Sequence, residues 1–528
     1  DAGQIVDASG NWWGSADAAT VAAEVNGQVD YSPWLASGTD TDGGTHGFQG
    51  DFGTLYVDDD SPQAGSETHL IEAVGLVTSS TIYMSPGTYA EGPQVQVSSD
   101  LDVIGDDHTT VTIVPTTSTS NSGDARGWFL VDDGVTFNLS QVTLDGAGYD
   151  IYQAVRCKGG GMYSYIDFQN ITYPSYGGVA MAVFPGTLLP TTIDHCDFAN
   201  IGRVGALLWY ATVDFTNNTY TGKGDGDWLD YAIDMNAGAT VTATGNTVTN
   251  CTGVASSDGS TSGAFMATTL YGTGTTLIAE NNTLKYNTTG VIVGYDDADA
   301  ADVTLSGGNV LIGNGYGVST TASSAIAITA YGNTFSNTVN AEDNTAGGSW
   351  DDGVSLGNCW SDFATNSGYP THYVVDGTAG AIDNYPTTDC GITFGPEEIV
   401  YDCDGDFTVD VGIGDAVIAL EGVEMTIEYP AELTLGSVTA ADANFFMTYS
   451  LTDNATGTDE LLINLGVQTG WLDGAADLFT VTLSGATAYC TGSAIAMTSS
   501  ELRDTANAVI PVGLPDDLTL FSDCEDPV

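Results

Sequence analysis

Seven Lys plus Arg stand against 69 Asp plus Glu in this 528-residue chain. Six of the seven, Arg126, Arg156, Lys158, Arg203, Lys223 and Lys285, fall in one central stretch. Cations that scarce invite a chemical reading. Abstracting a proton beside a carboxylate takes a base, and a cation to neutralise the acid. Arg156, Lys158 and Arg203 are candidates for both parts. Asp194, His195 and Asp197, close to Arg203 in sequence, offer instead the carboxylate pair of an inverting glycoside hydrolase. Neither set forms a packed acid–base motif, and spacing alone does not put these side chains on one face. The competing reading is ion pairing within an extremely acidic surface, and it is the one carried forward.

Other residues suggest metal, sugar and redox chemistry. Asp402, Asp404 and Asp406 in DCDGDFTVD have the one-three-five spacing of a calcium loop, with Asp410 four residues on. The twelfth position, where such a loop wants a carboxylate, is Ile413, so calcium competes with a plain solvated turn. YDDADAAD (Tyr295–Asp302) and DGD (Asp225–Asp227) are weaker versions. Trp12, Trp13, Trp34 and Trp360 have the composition of a sugar-stacking platform, but their position at the ends of repeated modules predicts capping of an exposed apolar end. The eight cysteines, at 157, 196, 251, 359, 390, 403, 490 and 524, lack CxxC metal spacing. An even count in a Lys-poor chain with several N-x-S/T sequences points to an oxidising, extracellular or cell-surface setting. Those sequences begin at Asn138, Asn170, Asn217, Asn250, Asn281, Asn287 and Asn454, and in so Asn-rich a chain they also arise by accident.

A repeat must position these groups. The phrase NNTY (Asn217–Tyr220) returns as GNTVTN, NNTLKYN, GNVLIGN and GNTFSN, aligning Asn218, Asn246, Asn282, Asn309 and Asn333 at intervals of 28, 36, 27 and 24 residues. Short alternating runs such as ATVTATG lie between. A period in the twenties with strand patterning predicts a right-handed parallel β-helix, an all-β solenoid whose turns share one core. Asn suits the left-handed backbone of a bend, and stacked amides also hydrogen-bond from rung to rung.

The chain reads as three parts. Residues 1–45 look like the closing turns of a preceding module (IVDASGNWWGS, then VDYSPWL) plus a Gly-rich linker (Ser37–Gly47). Residues 46–394 start afresh with GDFGTLYVDDDSPQ and a short helix over Ser66–Val77, its face marked by Leu70, Ile71, Val74 and Val77. They continue as the solenoid and end in GNCWSDF and AIDNYPTTDC, a pair that parallels the opening. Residues 395–528 change to period two: Val423, Met425, Ile427 and Tyr429 point inward against Glu424, Thr426 and Glu428, and Phe479, Val481 and Leu483 repeat the pattern. That predicts an antiparallel β-sandwich. The net charge of -62 repels nucleic acid and anionic lipid. No apolar run is long enough to span a membrane. No signal peptide precedes Asp1, so the numbering is expected to start at a mature end or inside a precursor.

These motifs carry a resemblance. The stretch from Gly47 to Asp389 resembles the right-handed parallel β-helix superfamily of carbohydrate-binding and sugar-hydrolase proteins, with its pectate-lyase-like and NosD-like members. GN-x-WSD with IDNYP is similar to the end of NosD-like repeats. GNWWGS, VDYSPWL and the GFQGDF start are similar to modular bacterial surface proteins. EGVEMTIEYPAELTL, ADLFTVTLSG and SSELRDTANAVIPV resemble a cohesin-like sandwich. The resemblance implies Arg or Lys bases and calcium-bound acidic sugars if the chain is a lyase. It implies a dockerin partner if the sandwich is a working cohesin, though no binding residue maps.

The balance favours a structural or adhesive surface module that assembles end to end. A secreted polysaccharide-active enzyme or carbohydrate-binding protein is the alternative. Cys359 and Cys390 bracket the closing turns and are expected to pair; closing that loop contributes roughly 3–4 kcal/mol in the chain-entropy model. Cys403 is expected to pair with Cys490 or Cys524. Residues 1–36, with Trp12, Trp13, Tyr31 and Trp34 exposed, are expected to join copies head to tail.

Overall fold

The computed structural model describes all residues except 1–3, 79, 176, 188, 271–272, 388–391, 396–397, 402–404, 415–416, 418–419, 453–457, 473–475, 485–493, 505–508, 511–517 and 523–528. Two compact units form: Asp1–Thr304 with Val318–Ile328 and Asn344–Ala346, and Leu305–Gly317 with Thr329–Asp343 and Gly347–Val528. Among the described residues no helix is long and apolar enough to cross a membrane.

In the first unit the solenoid rungs are built of short strands, three per rung from Val204 on, with Phe137–Asp145 and Gly161–Gln169 each running through two of those positions. One rung is Val204–Trp209, Thr212–Thr216 and Thr219–Thr221; the next is Tyr231–Asn236, Thr240–Thr244 and Thr247–Thr249. Successive rungs pair in parallel and in register, Val213 on Val241 on Leu277 and Tyr220 on Val248 on Leu284. The period-two alternation sends these apolar residues inward and the threonines outward, so like stacks on like along the axis. A second wall stacks Phe129, Val155, Met181, Ala206, Ile233 and Phe265, all fully buried.

The repeated asparagines have a sharper job than the sequence indicated. The left-handed residue of each bend is the one before them: Asn217 (φ 55°), Gly245 (φ 70°) and Asn281 (φ 55°). Asn218, Asn246 and Asn282 are buried, and their amides run head to tail. Nδ2 of Asn218 donates to Oδ1 of Asn246 (3.1 Å), and Nδ2 of Asn246 to Oδ1 of Asn282 (2.8 Å). Each Nδ2 also reaches a backbone carbonyl, Ile193 or Phe215, and each Oδ1 also accepts the backbone N–H of the preceding ladder residue. Every polar atom is used, which is what permits an amide in a core. The backbone N–H groups of Cys196 and Cys251 donate to Asn218 and Asn287 at the heads of two such ladders.

The solenoid's first edge is closed by its own chain. Val6–Asp7 pairs in parallel with Val29–Asp30, and Trp34–Leu35 lies antiparallel on Thr54–Val57, the outermost wall strand. Between them runs α1 (Ala18–Glu24), which the sequence pattern did not predict; Asp17 caps it by accepting from the Thr20 N–H. The predicted second helix exists as α2 (His69–Leu76), burying Leu70 and Ala73. The buried Glu91 carboxylate accepts from the Leu70 and Ile71 N–H groups, an anion placed where a helix N-terminus favours one.

This arrangement corrects the expectation of exposed joining aromatics. Trp34 is 0% exposed and Tyr31 4%, while Trp12 and Trp13 are partly buried. Trp34 stacks on Tyr56 at 5.7 Å and packs with Val21, Tyr31 and Trp13. An edge strand with an apolar face is covered by the nearest segment able to pair with it, and here that segment is the chain itself.

In the second unit the last rungs carry a ladder of their own, Asn309 to Asn333 to Asn358, ending on Asp383. A stack of Phe335, Trp360 and Tyr373, at 4.5 and 4.1 Å, fills their core, so Trp360 is an internal cap as expected. The period-two region is a sandwich. One sheet is Ile392–Gly395, Asp406–Ile413, Ala476–Ser484 and Thr434–Ala440; the other includes Ala494–Asp504, Leu420–Pro430, Thr458–Val467 and Phe445–Thr452. The inward residues are those predicted: Val423, Met425, Ile427, Tyr429, Phe479, Val481 and Leu483 form one core.

The cysteines do not form one uniform framework. Cys157, Cys196 and Cys251 are free and buried in the first unit, each thiol pushed up by burial. Cys359 is disulfide-bonded. Its expected partner Cys390, like Cys403 and Cys490, lies outside the described residues.

Candidate functional site

The catalytic candidates are not brought together. Arg156 and Lys158 lie on the outer face of the buried wall, and one carboxylate, Asp124, binds both, at 3.0 and 2.9 Å. Hydrogen bonds from Lys158 and then Arg156 hold its carboxyl below the usual range. The Arg156 guanidinium also covers the Phe184 ring at 5.1 Å. Asp194 belongs to a different wall. Its two oxygens accept from Thr216 (2.6 Å), Asn217 (3.0 Å) and His195 (2.8 Å). Burial pushes this carboxyl up, but those three donors outweigh it and leave it below the ordinary value. His195 sits in the left-handed bend (φ 51°), exposed and stacked on Tyr165 at 5.0 Å. Asp194 and His195 are therefore a local pair, and neither shares a face with Arg156 or Lys158.

Arg203 stands beside a residue that sequence reasoning passes over. Asp234, in the apolar strand YAIDMN, faces outward with Oδ1 buried and unpartnered, and the Nε of Arg203 is likewise buried without a partner. Burial pushes the Asp234 carboxyl up to about 6, although Arg203 and Asn236 pull the other way. The signal was there: a lone Asp inside a run of core residues needs a reason. Lys223 is wholly committed to structure. Its ammonium pairs with the fully buried Asp230 and donates to the carbonyls of Ile201 (2.7 Å) and Gly202 (3.0 Å).

The calcium reading fails at the two described positions. Asp406 and Asp410 lie on the continuous strand Asp406–Ile413, paired on both sides. Four residues of strand separate them by about 13 Å, too far to ligate one ion together. They accept instead from Ser484 and from Thr480 (2.7 Å). Asp402 and Asp404 lie outside the described residues. Among the described residues one group of carboxylates converges, Asp7, Asp30 and Glu72, with oxygens within 4.8 Å of one another. Protein donors already serve it: Ser61 and the Ala64 N–H bind Asp30, and Gln63 binds Glu72.

Residues 191–365 match the family model described as periplasmic copper-binding protein (NosD). Over those residues the solenoid is similar to that family. That match covers a third of the chain and includes the Asn ladders. No curated protein matches the chain. Solved structures similar to it include cohesins. A non-cellulosomal cohesin from the hyperthermophilic archaeon Archaeoglobus fulgidus is 18% identical, covering 25% of this chain and 89% of that one with a TM-score of 0.21. A cohesin module of a family 33 glycoside hydrolase from Clostridium perfringens is 17% identical, covering 26% and 100% with a TM-score of 0.22. CaCohA2 from Clostridium acetobutylicum is 13% identical, covering 26% and 95% with a TM-score of 0.23.

The copper of the family's name does not fit the residues in the matched stretch. Copper sites draw on imidazole, thiolate and thioether ligands. The stretch contains a single histidine, His195; Asp194 holds its Nδ1 and leaves Nε2 open, but His195 belongs to no convergent group of three or more His, Cys, Asp or Glu ligands among the described residues. Its Cys196 thiol points at the carbonyls of Tyr163 and Asp194 within the core.

Proposed function

We propose that this chain is a structural and adhesive module of an extracellular surface protein, with the solenoid as a stiff spacer and copies associating end to end. The amide ladders carry this reading. Each buried amide is fully hydrogen-bonded to the rung on either side, so a local opening must break several bonds at once. Such a column resists bending and local unfolding, properties a spacer needs and a hydrolytic site does not. The cations are dispersed, and three of them, Arg156, Lys158 and Lys223, are neutralised by neighbouring carboxylates, which agrees with it. The net charge of -62 keeps copies apart at low ionic strength, so association requires screening. Because Tyr31 and Trp34 serve the chain's own edge, joining falls to what the edge segment leaves outward, such as Val6, 59% exposed.

Sedimentation velocity of the full chain at rising concentration, in low and moderate salt, with electron microscopy of the same samples, tests the reading. Elongated species that grow with concentration in moderate salt are expected. A chain that stays monomeric at every concentration and salt overturns end-to-end association.

A further inference from the structure

The second unit leaves one sheet edge bare. Among the described residues its sandwich has four edge strands. Ile392–Gly395 and Glu398–Tyr401 are four residues long, and the register of Thr434–Ala440 shifts between Leu435 and Ser437. Short strands and bulges are ordinary means of keeping an edge from pairing with another chain. The fourth edge, Phe445–Thr452, has neither. It runs eight residues in unbroken register on Thr458–Val467, its one described partner strand. Its sequence, FFMTYSLT, has no charge, no Pro and no Gly.

The side chains of that strand run past their cover. Phe445, Met447, Tyr449 and Leu451 alternate toward the sandwich core. Phe445 is buried there and Met447 packs against it, but Tyr449 is 48% exposed and Leu451 42%. On the other face Phe446 is 64% exposed. From Thr448 to Thr452 every residue is exposed, so the alternation of a half-buried strand ends partway along it. Three large apolar side chains and a row of backbone N–H and C=O groups face solvent together on an uncharged strand, which is a template for pairing.

Charge and symmetry select the occupant. A charged segment would give up hydration against this strand and find no opposite charge in it. The strand itself is uncharged and meets that condition. Turned about a two-fold axis through Tyr449, it sets Tyr449 against Tyr449, Met447 against Leu451, Thr448 against Ser450 and Phe446 against Thr452. Each pair shares a face, and the matches are aromatic on aromatic, apolar on apolar, hydroxyl on hydroxyl and aromatic on β-branched, all favourable across strands. At a net charge of -62 copies repel one another, so an uncharged strand is where two of them can close.

We propose that Phe445–Thr452 pairs antiparallel with the same strand of a second copy, making a closed dimer. This goes beyond end-to-end association through the first unit, because a two-fold contact stops at two copies. Hydrogen exchange of the full chain in moderate salt, from micromolar to submillimolar concentration, tests it, with sedimentation velocity on the same samples. Exchange over Phe445–Thr452 is expected to slow as concentration rises. Tyr449→Lys sets two ammonium groups face to face at the axis and should weaken the pairing by about 10-fold or more, although it lowers the net repulsion between copies. Val354→Lys makes the same charge change at an exposed site of the second unit and should leave the pairing intact. Tyr449→Glu should fail alone as Tyr449→Lys does, and an equimolar mixture of the two should pair again. Circular dichroism checks that each variant keeps its β signal, and recovery on mixing shows that neither has simply misfolded. Exchange over the strand that ignores concentration, slowing that survives Tyr449→Lys, or a mixture that does not recover would overturn the proposal. Peptides from the first unit's edge at Val6–Asp7 read the end contact separately, so failure of either association is told apart from failure of the other.

Discussion

In the second unit, Gly357–Trp360 and Ile382–Pro386 close on each other: Asp383 accepts from the Asn358 N–H at 2.7 Å and from the Trp360 indole at 2.8 Å. In the first unit, Gly10–Trp13 and Val29–Pro33 carry the same phrase, Gly-Asn-x-Trp followed by an apolar residue, Asp and Pro. There the corresponding Asp30 turns to the Ser61 hydroxyl at 3.1 Å and the Ala64 N–H at 2.6 Å, and the Trp13 indole N–H is buried without a partner. The difference lies in what each phrase is stacked on. Asn358 continues a ladder from Asn333, so its amide and N–H are aimed at the next acceptor along the axis. Asn11 follows no ladder residue and turns its amide back to the Ala8 carbonyl. A motif specifies which groups are available, while the neighbouring rung decides which of them meet.

The comparison predicts unequal costs for matched substitutions. Asp383→Ala removes the acceptor for the Asn358 and Tyr385 N–H groups and the Trp360 indole, all near a fully buried carboxylate. Leaving that many buried donors unsatisfied should cost roughly 3–5 kcal/mol. Asp30→Ala orphans two donors and also relieves the crowding of Asp7, Asp30 and Glu72, so about 1–3 kcal/mol is expected. Hydrogen exchange under mild denaturant, read at peptides from each region, gives both numbers. Equal losses would mean that the two phrases do the same work despite their different partners.

How far the sequence reaches follows the same line. The Asn period and the alternating runs made the solenoid legible because each encodes a local periodicity that the rungs repeat. Val423, Met425, Ile427 and Tyr429 revealed the sandwich face for that reason too. α1 was missed because Ala18–Glu24 has weak amphipathic patterning and sits beside aromatic phrases with a stronger signal. Trp34 was misplaced because burial depends on which strand edge lies nearby, here Thr54–Val57, and no local pattern states that. The candidate site was least legible. Arg203 and Asp234 lie 31 positions apart and come together only because strand Val204–Trp209 pairs with Tyr231–Asn236.

A pH profile sharpens the comparison between carboxylates with and without partners. Asp234 is raised to about 6 by burial, against about 3.9 in an unfolded chain. For an acid raised on folding, its stabilising contribution is complete below the unfolded value and is lost as pH climbs through the folded one. A carboxyl raised that far makes the folded state roughly 2–3 kcal/mol less stable at pH 7 than at pH 4. Asp234→Asn should therefore leave stability near pH 4 almost unchanged and raise it at pH 7.5. Thermal unfolding of both proteins across that range measures the difference, which cancels the background from the other acidic groups. A wild-type-minus-variant difference that is flat with pH would show that Asp234 is ionised in the folded chain at no cost.

The smallest effect isolates the indole N–H itself. Trp360→Phe and Trp13→Phe both keep an aromatic ring and remove one donor. At position 360 that donor serves a buried carboxylate, and hydrogen bonds to charged groups contribute about 1.5–3 kcal/mol. The Phe ring is also smaller, and the ring stack with Phe335 and Tyr373 would loosen. At position 13 the indole N–H has no acceptor, so removing it relieves an unsatisfied buried group while the lost ring area costs a similar amount. The net change should stay within about 1 kcal/mol. Chemical denaturation followed by hydrogen exchange at the two regions separates the variants. If Trp13→Phe proves as costly as Trp360→Phe, then Trp13 has a hydrogen-bond acceptor in solution, and the counterpart of Asp383 in its own phrase is Asp30.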